Sequence, residues 1–340
     1  MRVLITGANG FIGKAIGDQI SEKNISKNAF QLYRLTNSKL KSGKVGAGFK
    51  DVKNAFLADI SDYENLIEAV KIEGIDVIIH SAGLAHQFGK QAKDDFWKIN
   101  VQGTENIAKL GVKLQIKHFI LISSVSVYGT TQAKQSNSYT SSGISEDAIC
   151  NPQGFYARSK LESEKVAIRI CKENKIALTI LRLATVIGEE DKGNVARLIN
   201  AIDKKRFVWI GSGENLKSLI YKKDVARACL EVVGKSKGTD IFNVTAQPVK
   251  MNEIVSQISL SLGKRVPKWH VSPILLKKFF RLNSEFAKIK KINKLAETID
   301  KWLSDDVFSG EKFKEAYNFE AETPISEAIK RQVETYKKLK

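Results

Sequence analysis

The sequence predicts an α/β fold, a doubly wound parallel sheet with helices on both faces, joined to a smaller, mostly helical cap. Three observations lead there. Short β-branched runs alternate with helical patterns through the first half of the chain, the signature of parallel strands joined by helical crossovers. A glycine-rich turn stands directly after the first of those runs. Beyond about Leu183, loops and short helical patterns replace the alternation.

Taken in order, the expected strands are Arg2–Thr6, Gln31–Leu35, Val77–Ser81, Phe119–Ser123 and Leu178–Leu183. Helices are expected after Gly10, Ser61, Asp94 and Tyr156; Asp62 through Val70 is short and amphipathic, Tyr156 through Asn174 longer. Leu219–Leu230 and Ile241–Thr245 could both return to the sheet. The expected division is therefore 1–182 and about 219–247 for the sheet domain, with about 183–218 and 248–340 forming the cap.

A chain of 340 residues with 43% hydrophobic content can bury a substantial core. Its three cysteines, Cys150, Cys171 and Cys229, lack the short spacing of a disulfide framework or a zinc site. No metal is expected, and a reducing, cytoplasmic compartment fits. Met1 runs directly into the strand-like Arg2–Thr6, which leaves no room for a signal peptide. No apolar stretch approaches the roughly 20 residues that cross a bilayer.

The formal net charge is +18. Half of that excess lies between Lys264 and Leu295, where ten Lys or Arg residues face a single acid, Glu285, for a net +9. There Leu275, Phe279, Leu282, Phe286 and Ile289 recur at helical spacing among Lys277, Lys278, Arg281, Lys288, Lys290 and Lys291. Such a helix could lie on the inner face of an anionic membrane, each basic side chain contributing on the order of 1 kcal/mol. The favoured reading is the plainer one, a helix packed on its own cap with the lysines in water. No nucleic-acid-binding motif accompanies the charge.

The turn after the first strand reads Thr6-Gly7-Ala8-Asn9-Gly10-Phe11-Ile12-Gly13, a G-x-x-G-x-x-G pattern at a strand-to-helix junction. Gly7 permits the tight turn, Gly10 lets backbone approach a pyrophosphate, and Gly13 allows close helix–strand packing. The helix N-terminus beyond offers unpaired N–H groups to phosphate. Gly7, Asn9, Gly10, Phe11, Ile12 and Gly13 are thus candidate dinucleotide contacts. An acid at the end of the second strand selects NAD, whereas an arginine accommodates the extra phosphate of NADP. Arg34 stands about there, with Ser38 and Lys39 nearby, so the sequence leans to NADP with NAD left open. Asp59 and Ile60 should border the adenine; Ser81, Ala82 and Gly83 should pass the diphosphate and ribose.

Three further features follow: Asn100, then Ser123-Ser124-Val125-Ser126, then Tyr156-Ala157-Arg158-Ser159-Lys160. Tyr and Lys four apart project from one helix face. An ammonium beside the phenol favours phenolate, which can take a proton from an alcohol. The lysine can also hold the nicotinamide ribose, and a strand-ending serine can hydrogen-bond the same alcohol.

With these residues in view, the chain resembles the extended short-chain dehydrogenase/reductase family, which contains the nucleotide-sugar epimerases and dehydratases. The resemblance rests on Thr6–Gly13, Asp59-Ile60, Asn100-Val101-Gln102-Gly103-Thr104, Ser123–Gly129 and Tyr156–Lys160. It implies a Rossmann-type fold, Ser124 as catalytic serine, Tyr156 as base and Lys160 as its electrostatic partner. It also implies Asn100 and Ser123 near the cofactor, and a homodimer. The family's dehydratases carry an Asp-Glu pair where this chain has Val125-Ser126, which disfavours dehydration.

That leaves C4 epimerisation, or NADPH-dependent reduction of a 4-keto sugar. A dinucleotide-binding protein without turnover is a distant third. Leu183, where the family usually has proline, and Val186 should reach the nicotinamide. Gly193-Asn194-Val195 resembles a segment that binds the diphosphate of UDP-sugars, and Lys217 stands where relatives often place an arginine on phosphate. With Ser124, Ser126 and Tyr221, Asn194 and Lys217 complete the candidate substrate set. These segments look most like bacterial enzymes acting on N-acetylhexosamines for surface polysaccharides, on a UDP or polyprenyl-diphosphate carrier.

Overall fold

Seven parallel strands make one sheet: β1 (Arg2–Thr6), β2 (Gln31–Thr36), β3 (Ala55–Leu57), β4 (Val77–His80), β5 (His118–Ser124), β6 (Ala177–Leu183) and β7 (Thr239–Val244). Their order is β7-β6-β5-β4-β1-β2-β3, and every neighbouring pair is parallel. The computed structural model describes residues 1–27, 29–37, 54–85, 93–129, 139–140, 143–268, 270–272 and 303–340. The strand order reverses between β1 and β4. A sheet wound this way opens a crevice at the carboxyl ends of those two strands, where ligands bind. All of β4 and most of β5 are buried, as continuous apolar runs covered on both faces require.

Ten helices are described: α1 (Phe11–Lys27), α2 (Tyr63–Ala69), α3 (Lys93–Phe96), α4 (Gly103–Lys113), α5 (Gly154–Glu173), α6 (Asn194–Asp203), α7 (Lys222–Val232), α8 (Met251–Leu262), α9 (Glu311–Tyr317) and α10 (Ile325–Lys338). A π-helical turn, Trp97–Gln102, joins α3 to α4. Asp62 caps α2 by accepting from the Asn65 N–H at 3.0 Å, which satisfies one of the orphan donors of a helix start. Among the described residues no helix is long and apolar enough to cross a membrane.

The chain divides into two units. The first comprises Met1–Val186, Lys222–Thr245 and Ser309–Glu320; the second comprises Ile187–Tyr221, Ala246–Phe308 and Ala321–Lys340. The structure meets the sequence expectation in one detail and departs from it in two. Ile241–Thr245 does rejoin the sheet, as β7, paired along β6 from Thr239 to Val244. Leu219–Leu230 does not, because only Leu219–Tyr221 is extended, outside the seven-stranded sheet, and α7 starts at Lys222. Ser309–Glu320, expected in the cap, belongs to the first unit. An aromatic cluster explains this: Phe313 meets Phe242 of β7 at 5.4 Å and Phe319 at 5.1 Å, both edge-on, and the Ser309 N–H donates to the Ile144 carbonyl at 2.9 Å.

In the second unit α6, α8 and α10 bury their apolar stripes together, with Ile199, Ile258 and Ile329 almost fully enclosed. Most of the basic window 264–295, including Lys277, Lys278, Lys288 and Lys290, lies outside the described residues. Within the described part, Lys264 is ion-paired to Asp203 at 2.7 Å.

Replacing Phe313 with alanine opens a cavity between α9 and β7. The Phe313→Ala protein should lose about 3 kcal/mol of stability in urea unfolding; a loss below about 1 kcal/mol would show that α9 does not anchor the first unit.

Candidate active site

The glycine turn is shaped by close backbone approach. Gly7 adopts a φ of +66°, and a Cβ there would stand 2.7 Å from the Ala82 Cα, so only glycine fits. A Cβ on Gly13 would run into the Gly7 carbonyl oxygen. The turn closes with the Gly10 N–H donating to that carbonyl at 2.8 Å. Gly10 itself is exposed at the start of α1. The turn fits a dinucleotide: Asn9 Oδ1 is buried and has no hydrogen-bond partner within the protein, and the cradle between Gly7 and α1 admits no side chain.

Around the turn, the Ser81 hydroxyl donates to the Thr6 carbonyl at 2.7 Å and the Ala82 N–H to the Thr6 hydroxyl at 3.2 Å. The Asp59 carboxylate accepts from both the Ser61 N–H and hydroxyl, while Ile60 packs tightly over Gly103. Arg34 is not at the strand end. β2 runs two residues further, to Thr36, and Arg34 pairs in register with Ile5. Its guanidinium lies against Gly17 of α1. Burial lowers its pKa and neighbouring Asp18 opposes the shift. Ser38 and Lys39 fall outside the described residues.

Ser124, Tyr156 and Lys160 converge at the carboxyl end of β5. Ser124 ends the strand, beside Leu183 at the end of β6. Its hydroxyl hydrogen-bonds the Tyr156 phenol and accepts from the Ser126 N–H at 3.2 Å. Burial raises the Tyr156 pKa and that hydrogen bond partly offsets it. The expected depression of the phenol is therefore not what the protein groups alone produce. One helical turn on, the Lys160 ammonium donates to the Ile122 carbonyl at 2.7 Å. Burial brings its pKa down to about 8, against the pull of Glu164. Ser126 Oγ is buried without a hydrogen-bond partner within the protein.

Asn100 and Ser123, which the sequence singles out, hold this arrangement together with Glu164 and Arg182. Asn100, in the π-helical turn, accepts from the Leu84 N–H at 2.6 Å, donates to the Leu84 carbonyl at 3.2 Å and donates to the Ser159 hydroxyl at 2.9 Å. It thereby ties the segment after Gly83 to α5. A Cβ on Gly83 would lie 3.2 Å from Asn100 Oδ1 and 3.7 Å from Lys160 Nζ, so these three groups share one small space. Ser123 faces away from Ser124 and gives its hydroxyl to Glu164. Glu164 also takes both nitrogens of the Arg182 fork, the shorter bond at 2.7 Å. Burial works against the Arg182 charge, but the Glu164 hydrogen bonds and charge outweigh it and raise its pKa. The Arg182 fork also reaches the Tyr128 hydroxyl at 2.9 Å. No motif announces Glu164; its signal is its place one helical turn beyond Lys160.

A family model described as the NAD dependent epimerase/dehydratase family matches residues 3–245. The chain belongs to that family. As a member it is an enzyme of the NAD-dependent epimerase and oxidoreductase type, within the extended short-chain dehydrogenases/reductases. It is 26% identical over 278 residues to the N-acetyl-alpha-D-glucosaminyl-diphospho-ditrans,octacis-undecaprenol 4-epimerase of Escherichia coli O157:H7, covering 79% of this chain and 75% of that one. It is 24% identical to the UDP-glucose 4-epimerase of Vibrio cholerae, covering 87% of this chain and 86% of that one. In structure it matches UDP-glucuronic acid 4-epimerase from Bacillus cereus, solved in complex with NAD, with a TM-score of 0.74 at 20% identity over 100% and 99% of the two chains.

The remaining candidate residues of this family member lie in the second unit, apart from Val186, which closes the first. Asn194 begins α6, whose N-terminal amides are met by Asp191: the Gly193 N–H donates to its carboxylate at 2.7 Å and Gln332 at 3.0 Å. Lys217 is ion-paired to Asp306 at 2.6 Å and also donates to the Ser304 carbonyl. Tyr221 is fully buried, and its hydroxyl donates to Glu189 at 2.9 Å.

Arg182→Met leaves the buried Glu164 without its ion-pair partner, and should cost about 3–5 kcal/mol in chemical denaturation. The double change Glu164→Gln with Arg182→Met should recover most of it. A loss below about 1 kcal/mol for the single change would contradict the pair's place in the site.

Proposed function

We propose that this enzyme is an NAD-dependent C4 epimerase of an N-acetylhexosamine or hexose carried on a diphosphate. The observation that carries the reading is the partly buried Ser124–Tyr156 hydrogen bond, one helical turn from Lys160. The absence of carboxylates at Val125-Ser126 removes the acid and base that eliminating water would need. The Escherichia coli relative, a 4-epimerase named for an undecaprenol diphosphate-linked N-acetylglucosamine, supports a sugar on a polyprenyl diphosphate, with a UDP-sugar as the other carrier.

A bound nicotinamide would supply the redox chemistry, reversible hydride transfer at C4. The protein's own groups handle the proton and the orientation. Tyr156 removes the proton from the C4 hydroxyl and gives it back after the sugar has turned. Ser124 hydrogen-bonds the same oxygen in both its alcohol and ketone forms. Lys160, whose charge Glu164 favours, is the cation that would favour the phenolate, against the burial that raises the Tyr156 pKa. The N–H groups of the glycine turn would hold the diphosphate of the cofactor, and Asn9 Oδ1, an acceptor, would take a ribose hydroxyl. The position of Arg34 inside β2, with Thr36 at the strand end, supports NAD over NADP.

Incubation with UDP-N-acetylglucosamine and with its polyprenyl-diphosphate counterpart, without added reductant, should yield the C4 epimer. One-for-one oxidation of NADPH on a UDP-4-keto-sugar would instead make it a ketoreductase. Tyr156→Phe should lower turnover by at least about 100-fold while NADH affinity stays within about threefold; retained activity would show that the base is another group.

A polyprenyl carrier would also place the reaction at a membrane surface, where the net +9 window 264–295 fits the charge. Changing Lys277, Lys278, Lys288 and Lys290 to Glu should abolish flotation with anionic liposomes. Unchanged flotation, or none in the wild type, removes membrane contact.

A further inference from the structure

One buried side chain touches both halves of the site and has no part in the proton transfer. His80 ends β4 and is 1% exposed. Its Nδ1 lies 2.7 Å from the Thr6 hydroxyl and its Nε2 lies 3.1 Å from the Thr104 hydroxyl. The partners dictate the direction of each bond. Thr104 spends its single proton on the Asn100 carbonyl at 2.6 Å, so toward His80 it can only accept. Nε2 therefore carries the hydrogen. Burial, with Lys160 close by, brings the ring's pKa down to about 3, so the ring is neutral and Nδ1 accepts from the Thr6 hydroxyl. That hydroxyl in turn accepts the Ala82 N–H. Donation thus runs in one direction, from Ala82 through Thr6, His80 and Thr104 to Asn100. The Asn100 side chain continues it to Ser159, whose hydroxyl donates to the Tyr156 carbonyl at 2.8 Å.

We propose that His80 is a positioning residue whose accepting Nδ1 and donating Nε2 lock the glycine turn to the π-helical turn at Asn100, and so set the dinucleotide cradle in register with the helix carrying Tyr156 and Lys160. The proposal rests on the reading of that turn as the cofactor site. A histidine suits the place because a neutral imidazole is rigid and offers one donor and one acceptor about 2 Å apart on opposite sides of a ring carbon. It also adds no second cation beside Lys160.

The test uses the full-length protein with NADH as probe and needs no sugar substrate. Nitrogen-15 NMR of the histidine ring should show protonated Nε2 and bare Nδ1, unchanged from pH 5 to pH 9. His80→Leu should weaken NADH binding by about tenfold, the scale expected when a buried hydroxyl loses its acceptor. His80→Gln, which restores one acceptor and one donor, should bind within about threefold of the wild type. The proposal fails if the ring titrates in that range or carries its hydrogen on Nδ1. It also fails if the Leu and Gln variants bind NADH alike. A wild-type protein that binds no NADH would overturn the cofactor reading, and the ring-nitrogen spectrum would still decide the role of His80.

Discussion

The constraint on which the site depends is a close approach of backbones. Gly7 at the end of β1 comes so near Ala82, just past β4, that no side chain fits between them. This happens at the point where the strand order reverses, the place in a doubly wound sheet where a crevice opens. The crowding turns the chain sharply into α1, leaves Gly10 exposed at the helix start and buries Asn9 Oδ1 without a partner. A phosphate-sized ligand would meet N–H groups there and no steric bulk.

The chemistry next to the turn relies on burial that disfavours charge. Tyr156 is pushed to a higher pKa and Lys160 to a lower one by loss of water. In water the ammonium would be screened; in a low dielectric its charge reaches further. Glu164 is the anion that keeps this ammonium favourable, and the Arg182 fork keeps Glu164 from standing alone. The pair is better understood as holding a charge pattern than as holding the fold, since buried ion pairs contribute little net stability.

Much of this was legible in the sequence, because the features with the strictest stereochemistry have the clearest patterns. The three glycines at Gly7, Gly10 and Gly13, and Tyr156 four residues before Lys160, each occur in the context their chemistry requires. The alternation of apolar runs with helical patterns foresaw five of the strands to within a residue or so. Long-range hydrogen bonding left no such mark. His80 closes an apolar strand and reads as core, and its partners Thr6 and Thr104 are 74 and 24 residues away.

Arg34 looks like a strand-end residue from sequence because strand ends carry no sharp signal, but β2 continues through Thr36. Lys217 and Tyr221 matched by type, but pattern cannot show that Asp306 and Glu189 already engage them. The return of α9 to β7 depends on aromatic contacts between Phe242 and Phe313, separated widely in sequence.

The most direct measurement is NADH binding to a protein in which Gly10→Val fills the exposed mouth of the turn while the fold, followed by circular dichroism, is retained. The affinity should fall at least about tenfold, equivalent to about 1.4 kcal/mol. Wild-type affinity in the folded Gly10→Val protein would mean that the cofactor is held elsewhere.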